Sequence, residues 1–129
     1  MGGFAIIIKG MGIDIVEVSR FSQALARRGE RLIKRVFSPD ERATCGASPH
    51  RLAARYAAKE AFYKALGTGI RHFRWREVEV KNDRLGAPYL SFSSRLAAHL
   101  AALGVKATHL SLSHSGDYAV AQVILEGEQ

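Results

Sequence analysis

Two carboxylates in this chain stand among apolar neighbours. Asp14 interrupts the β-branched run Gly12-Ile13-Asp14-Ile15-Val16, and Glu60 sits inside Arg55-Tyr56-Ala57-Ala58-Lys59-Glu60-Ala61-Phe62-Tyr63-Lys64-Ala65-Leu66-Gly67-Thr68-Gly69. A carboxylate turned toward a core is costly unless a charge or a metal compensates it. Two readings are open on the residues alone. Each acid pairs with an arginine, or the two serve a magnesium ion, which prefers oxygen ligands and takes the rest of its shell from water and substrate phosphates. Zinc spacing is missing: His50, His72, His99, His109 and His114 are scattered and Cys45 stands alone. Lys64 follows Glu60 by one helical turn, the spacing either of an ordinary surface pair or of a cation held beside the acid. Glycines in Gly67-Thr68-Gly69 would let backbone approach a phosphate. Gly67 also has a sufficient role as a helix cap, and a loop that follows a helix is neither a Walker loop nor a dinucleotide fingerprint. His114 ends Leu110-Ser111-Leu112-Ser113-His114-Ser115; it can donate to a phosphate or be a plain strand-end residue, but it builds no Ser/His/Asp triad alone.

The central helix has a capping serine and a first-turn proline in Ser48-Pro49 and a stop at Gly67. Its apolar stripe is Leu52, Tyr56, Tyr63 and Leu66, with Glu60 between that stripe and Ala53 and Ala57. The small alanines leave room for something to come close. Residues 5–16 read as a buried strand broken near Lys9-Gly10, with Ile13 and Ile15 facing away from Asp14. Ser19 is expected to cap a helix carrying Phe21 and Leu25 that stops at Gly29, and a short helix with Leu32, Ile33 and Val36 follows. These helices set Arg20, Arg27, Arg28, Arg31, Lys34 and Arg35 against a lone Glu30. So one-sided a charge is either a solvated face or a docking surface for an acidic partner.

Ser38-Pro39-Asp40-Glu41 is a capping box that opens a third helix ending near Gly46. Beyond Gly69 the pattern turns to period two. Glu77-Val78-Glu79-Val80 pairs across the Asn82–Gly86 loop with Pro88-Tyr89-Leu90-Ser91-Phe92. Ser93 or Ser94 caps a helix with Leu96, Leu100 and Leu103, and residues 108–113 and 118–125 close the chain as a hairpin around Ser115-Gly116-Asp117. The class expected is α+β, a mainly antiparallel sheet packed with helices.

The 129 residues suit one domain spanning 1–129, and 47% hydrophobic with 24% charged is ordinary for a globular chain. No apolar run is long enough for a membrane span, and Ala5-Ile6-Ile7-Ile8 is too short for a secretory signal core. A lone cysteine excludes an internal disulfide and fits a reducing, cytoplasmic setting. The net charge of +7 calls for an acidic partner or substrate: nucleic acid, an acidic protein or a phosphate-rich small molecule. A nucleic-acid module is disfavoured because no base-stacking aromatics interleave the basic residues and Asp14 and Glu60 are left without a role. A purely structural oligomer ignores the same acids.

Gly12-Ile13-Asp14-Ile15-Val16-Glu17, the stretch from Arg55 to Gly69, and Leu112-Ser113-His114-Ser115-Gly116-Asp117-Tyr118-Ala119 together resemble the holo-acyl-carrier-protein synthases, the short bacterial-type 4′-phosphopantetheinyl transferases. The likeness runs from about Ile8 to Leu125, with Tyr56 where many relatives carry tryptophan or phenylalanine. It implies transfer of phosphopantetheine from coenzyme A to a serine of an acyl carrier protein, releasing adenosine 3′,5′-bisphosphate, in support of fatty acid biosynthesis. It assigns Asp14 and Glu60 to magnesium, and Asp14, Glu60 and Lys64 to catalysis. Arg55, Lys64, Gly67, Thr68 and His114 fall to the coenzyme A phosphates, and Arg20, Arg27 and Arg28 to carrier docking. It further implies a homotrimer with active sites shared between subunits. Such chemistry needs positioning and charge neutralisation, with the serine proton passing to a carboxylate or to a metal-bound water held by Glu60.

Overall fold

The computed structural model describes residues 5–68 and 71–129. A long helix, α4 (Pro49–Leu66), runs through the middle of the molecule. Its start is fixed as the sequence implies: Ser48 accepts from the Arg51 N–H and Pro49 occupies the first turn. Its end is Gly67, at φ 85°, where only glycine is comfortable. Against one side lies a sheet made of β1 (Ile6–Glu17), β4 (Val105–Ser115) and β5 (Tyr118–Glu128), in the order β1-β5-β4 and antiparallel throughout. Against another lie the hairpin of β2 (Val78–Asn82) and β3 (Pro88–Phe92) and the helix α5 (Ser94–Ala102). The remaining helices, α1 (Val18–Arg28), α2 (Glu30–Val36) and α3 (Pro39–Cys45), wrap the N-terminal half of α4. This is the α+β, mainly antiparallel architecture that the patterning implies.

The core has two lobes that meet on α4. Ala57, Ala61, Phe62 and Tyr63 pack on Val78, Val80, Leu96, Val123 and Leu125, while Leu52 and Ala53 pack on Val18, Phe21, Val36 and Phe37. The stripe read from the sequence is therefore too narrow. Leu52 and Tyr63 are buried, Tyr56 and Leu66 are half-buried, and Phe62, outside that stripe, is buried as well. Arg55 and Lys59 are buried too. A helix enclosed on so many sides has no single apolar face to reveal it.

The element that the alanines admit is β1. A Cβ on Gly12 would lie 1.9 Å from the Ala61 carbonyl oxygen, and one on Gly10 would lie 2.1 Å from that of Ala65. Only glycine lets the strand backbone rest this closely on the helix.

Two local expectations need correction. The leading strand is not broken at Lys9-Gly10. It continues through a bulge between Ile8 and Gly10, which shifts register from Ile8 opposite Glu126 to Gly10 opposite Leu125. Nor is it buried on both faces: Met11, Ile13 and Ile15 are each 61% exposed. The β-branched run marks an apolar face that the described residues do not cover. The second correction concerns α1. Ser19 does not cap it; the helix begins at Val18 without a side-chain cap from its own N-terminal flank. Its first amides are taken up by Asp117, in the turn between β4 and β5. The Ser38 capping box of α3, with Glu41 answering the Ser38 amide, is present as the sequence implies. Among the described residues no helix is long and apolar enough to cross a membrane, and Cys45 is buried and free.

Candidate active site

The close approach of β1 to α4 brings Asp14 alongside the helix side that carries Tyr56, Glu60 and Lys64. These residues sit at successive turns, i, i+4 and i+8, and so share one side. Lys64 Nζ lies 2.8 Å from Asp14 Oδ1 and also donates to the Ile13 carbonyl at 3.1 Å. The lysine thus ties the strand to the helix across the gap. Its side chain is 54% exposed against 15% for Asp14, so the pair opens onto solvent on the lysine side.

Asp14, Tyr56, Glu60 and Lys64 all line one open cleft of about 560 Å³, and Glu17, Arg20 and Arg28 close its rim. Among the described residues no lysine or arginine forms an ion pair with Glu60. Its close neighbour is the Tyr56 phenol. Burial, followed by the Glu60 charge and hydrogen bonding with that carboxylate, pushes Tyr56 up to about 12, so the phenol stays a neutral donor. Its ring is held between Phe21 and Trp75, with centroids 5.3 Å from each. Asp14 of β1 with Tyr56, Glu60 and Lys64 of α4 thus set two carboxylates, one cation and one neutral hydroxyl on two rigid elements.

A model of the 4′-phosphopantetheinyl transferase superfamily matches residues 10–123. The chain belongs to this family. It is 49% identical over 124 residues to the holo-[acyl-carrier-protein] synthase of Trichlorobacter lovleyi, an alignment covering 93% of this chain and 98% of that one. The fold is similar to the crystal structure of the Neisseria meningitidis holo-[acyl-carrier-protein] synthase, at TM-score 0.87 and 34% identity, covering 92% of this chain and 98% of the other. It is also similar to the Helicobacter pylori enzyme of that name in complex with coenzyme A, at TM-score 0.82 and 27% identity, covering 89% and 98%. The molecule is accordingly a phosphopantetheinyl transferase, and the remaining site residues can be placed with that chemistry in view.

For such a transferase the donor set at Asp14 and Glu60 is all oxygen, with no thiol or imidazole among the cleft residues. Among the described residues no group of three or more His, Cys, Asp or Glu side chains is arranged to hold an ion unaided. That set fits magnesium, which needs only one or two protein carboxylates when substrate phosphates and water supply the rest.

Of the other candidates, Arg20 and Arg28 line the cleft and the rest lie outside it. Arg27 is exposed in the last turn of α1, whereas Arg20 and Arg28 reach the cleft rim. Arg55 is buried on another side of α4, donating to Asn82 Oδ1 at 2.9 Å, and its Nε has no partner among the described residues. Gly67 ends α4 with its amide on the Tyr63 and Lys64 carbonyls, and half-buried Thr68 follows. Gly69 lies outside the described residues. His114 is exposed near the end of β4, opposite Ala119. A larger groove, about 870 Å³ and lined by residues such as Lys34, Arg35, Trp75 and Arg76, holds none of the expected site residues.

Sequence reasoning missed Tyr56 and Glu17 as cleft residues. Tyr56 was counted with the apolar stripe, yet its i,i+4 relation to Glu60 was a usable signal. Glu17 ends β1, where strand alternation no longer dictates its side, so no sequence signal placed it.

Proposed function

We propose that this transferase moves 4′-phosphopantetheine from coenzyme A to a serine hydroxyl of an apo acyl carrier protein, in a magnesium-dependent reaction that supports fatty acid biosynthesis. The observation that carries the reading is the meeting of Asp14, Glu60 and Lys64 in one cleft. Its substrates are those named for the similar holo-[acyl-carrier-protein] synthases, one of which has been seen with coenzyme A.

In the step proposed, the serine Oγ forms a bond to the β-phosphorus of coenzyme A. The bond from that phosphorus to the bridging oxygen breaks, and adenosine 3′,5′-bisphosphate leaves with the electron pair. Lys64 is placed to offset charge that builds on the phosphates, a preorganised cation that needs no rearrangement as the reaction proceeds. The serine proton leaves toward Glu60, a cleft carboxylate without a lysine partner. Magnesium held by Asp14 and Glu60 would supply Lewis acidity to the pyrophosphate. Tyr56 fixes the Glu60 side of the cleft. Arg55, Gly67, Thr68 and His114, none of which lines this chain's own cleft, are assigned to the coenzyme A phosphates, with exposed His114 reaching the site from a neighbouring subunit.

That assignment requires self-association, and we place it in a homotrimer. Supporting it is the outward face of β1, where Ile6, Ile8, Met11, Ile13 and Ile15 form a row of exposed large apolar side chains. The arginines of α1 offer an acidic carrier protein a complementary surface at the rim of the cleft.

The deciding experiment is mass spectrometry of an apo acyl carrier protein incubated with coenzyme A and magnesium. The phosphopantetheine mass increment should appear with the native chain and vanish with Asp14→Ala or Glu60→Ala. Full labelling by either variant would refute the site, and no labelling by the native chain would refute the function. Ile13→Asp should lower the molar mass in solution and abolish labelling together; an unchanged mass would remove the apolar face from the assembly.

A further inference from the structure

We propose that Asp117 is a positioning residue for carrier docking: from the turn between β4 and β5 it holds the first turn of α1, and with it Arg20, at the mouth of the Asp14–Glu60 cleft. The inference rests on reading α1 as the surface that meets the carrier. Every helix start leaves amides without intrahelical partners, and most helices answer them from their own flank. Here α1 has no side-chain cap from Glu17 and no acid in its first turn. Asp117, 98 positions away from Ser19, does the work instead. Its carbonyl accepts from Val18 N at 2.7 Å. Its carboxylate accepts from Ser19 N at 3.1 Å and from the Ser19 hydroxyl at 2.5 Å.

The carboxylate also faces the positive end of a helix dipole, where an anion is favourable. Asp117 is exposed, whereas Val18 and Phe21 already fix α1 into the core. The cap is therefore dispensable for burying the helix but decides where its first turn begins. Arg20 is the next residue and lines the cleft, so a fraying first turn would release that guanidinium from its place.

Asp117→Ala should raise the KM for the apo carrier about five-fold, the worth of a lost cap, and leave the KM for coenzyme A unchanged. Hydrogen exchange at the Ser19 amide, whose acceptor is the carboxylate, should quicken in the same variant. Asp117→Asn should restore both, because an amide oxygen caps as well as a carboxylate. Ser19→Ala, which removes the hydroxyl's bonds to Asp117 and to Glu17 but keeps the amide cap, should shift carrier KM less but in the same direction, and it covers the case in which Asp117→Ala does not fold. The inference is overturned if carrier KM and exchange are unmoved in Asp117→Ala, or if Asp117→Asn is as defective as alanine, which would make the charge and not the cap responsible. Arg20→Glu run in parallel separates the two levels. No rise in carrier KM there defeats the docking reading itself, whereas a rise there without one in Asp117→Ala defeats the positioning role alone.

Discussion

α4 carries two lysine–carboxylate pairs of nearly equal length, Lys59–Glu41 at 2.7 Å and Lys64–Asp14 at 2.8 Å. The lysines are five residues apart, about 140° around the helix. Their surroundings are opposite. Lys59 and Glu41 are 0% and 1% exposed. The ammonium spends its remaining donors on the Val36 and Trp75 carbonyls, and Glu41 accepts from the Ser38 and Val80 amides. Burial pulls Lys59 below the usual lysine range, and Glu41 opposes that pull. This pair is a knot joining α2, α3, α4 and β2, with nothing left over for a ligand. Lys64–Asp14 stands in an open cleft, and among the described residues Asp14 Oδ2 has no hydrogen-bond partner. The same chemical pair is a fastening in one place and, in the proposed site, an open arrangement in the other. What separates them is whether capacity to bind remains.

The sharpest way to break that comparison is to remove each lysine in turn. Lys59→Met leaves Glu41 charged and buried without its cation, which should cost about 3–5 kcal/mol of folding stability. A urea titration followed by circular dichroism reads it directly. Adding Glu41→Gln should recover part of the loss, since the amide carries no charge and its oxygen can still accept from one of the two backbone amides that Glu41 serves, Ser38 or Val80. If Lys59→Met unfolds at the native urea midpoint, the knot is not structural.

Lys64→Met should do the reverse. A half-exposed pair contributes at most about 1 kcal/mol, so the midpoint should hardly move. Turnover should fall by roughly 10²-fold or more, as when a preorganised donor at a transition state is deleted. Carrier labelling under single-turnover conditions checks it. A variant that lost several kcal/mol but kept its rate would place Lys64 with Lys59 and erase the contrast.

Both pairs show how much the sequence could reveal. Caps, glycine stops and period-two stretches mark α3, α4, α5 and the hairpins, because each is a local signal carried by adjacent residues. Asp14 and Glu60 are conspicuous because a carboxylate among apolar residues is anomalous. The partners of a charge are another matter. Glu41 reads only as the second half of a capping box, and its additional bond to Lys59 depends on α3 folding over α4. Asp117 reads as a turn residue, and its hold on α1 crosses the whole chain. The exposure of Met11, Ile13 and Ile15 was hidden because a β-branched run looks the same whether a helix or another subunit covers it.

The close packing of β1 on α4 provides a smaller test, since it carries Asp14 to the cleft. Gly12→Ala would drive a methyl group into the Ala61 carbonyl, backbone against backbone, with no flexible side chain to yield. Overpacking of this kind costs about 1–3 kcal/mol. The strand must back away, so labelling should slow as well, by more than in a surface control such as Leu85→Ala, whose side chain is exposed. A Gly12→Ala protein with native stability and rate would show that the strand has freedom to adjust and that the approach is not what places Asp14.

A third pair sharpens the comparison with the gentlest perturbation. Arg95–Glu77 is 60% and 15% exposed, nearly matching the cleft pair, so exposure alone does not make a site. Its capacity is spent. Glu77 accepts from Arg95 through both oxygens, from the Arg74 amide and from the Ser93 hydroxyl. These bonds, Arg95 first, hold the Glu77 carboxyl down to about 2. In the unfolded chain it titrates near the ordinary glutamate value of about 4.3. A folded value below the unfolded one means stability that is fully present above about pH 4.3 and lost as the pH falls toward 2. The native protein and Arg95→Gln should therefore differ in urea midpoint at neutral pH, and the gap should close between those two values. The effect is small because solvent screens the pair. A gap that persisted at pH 2 would mean that Arg95 stabilises through its bond to the His72 carbonyl or its stacking on Phe73, 4.6 Å from the ring centroid, and not through Glu77.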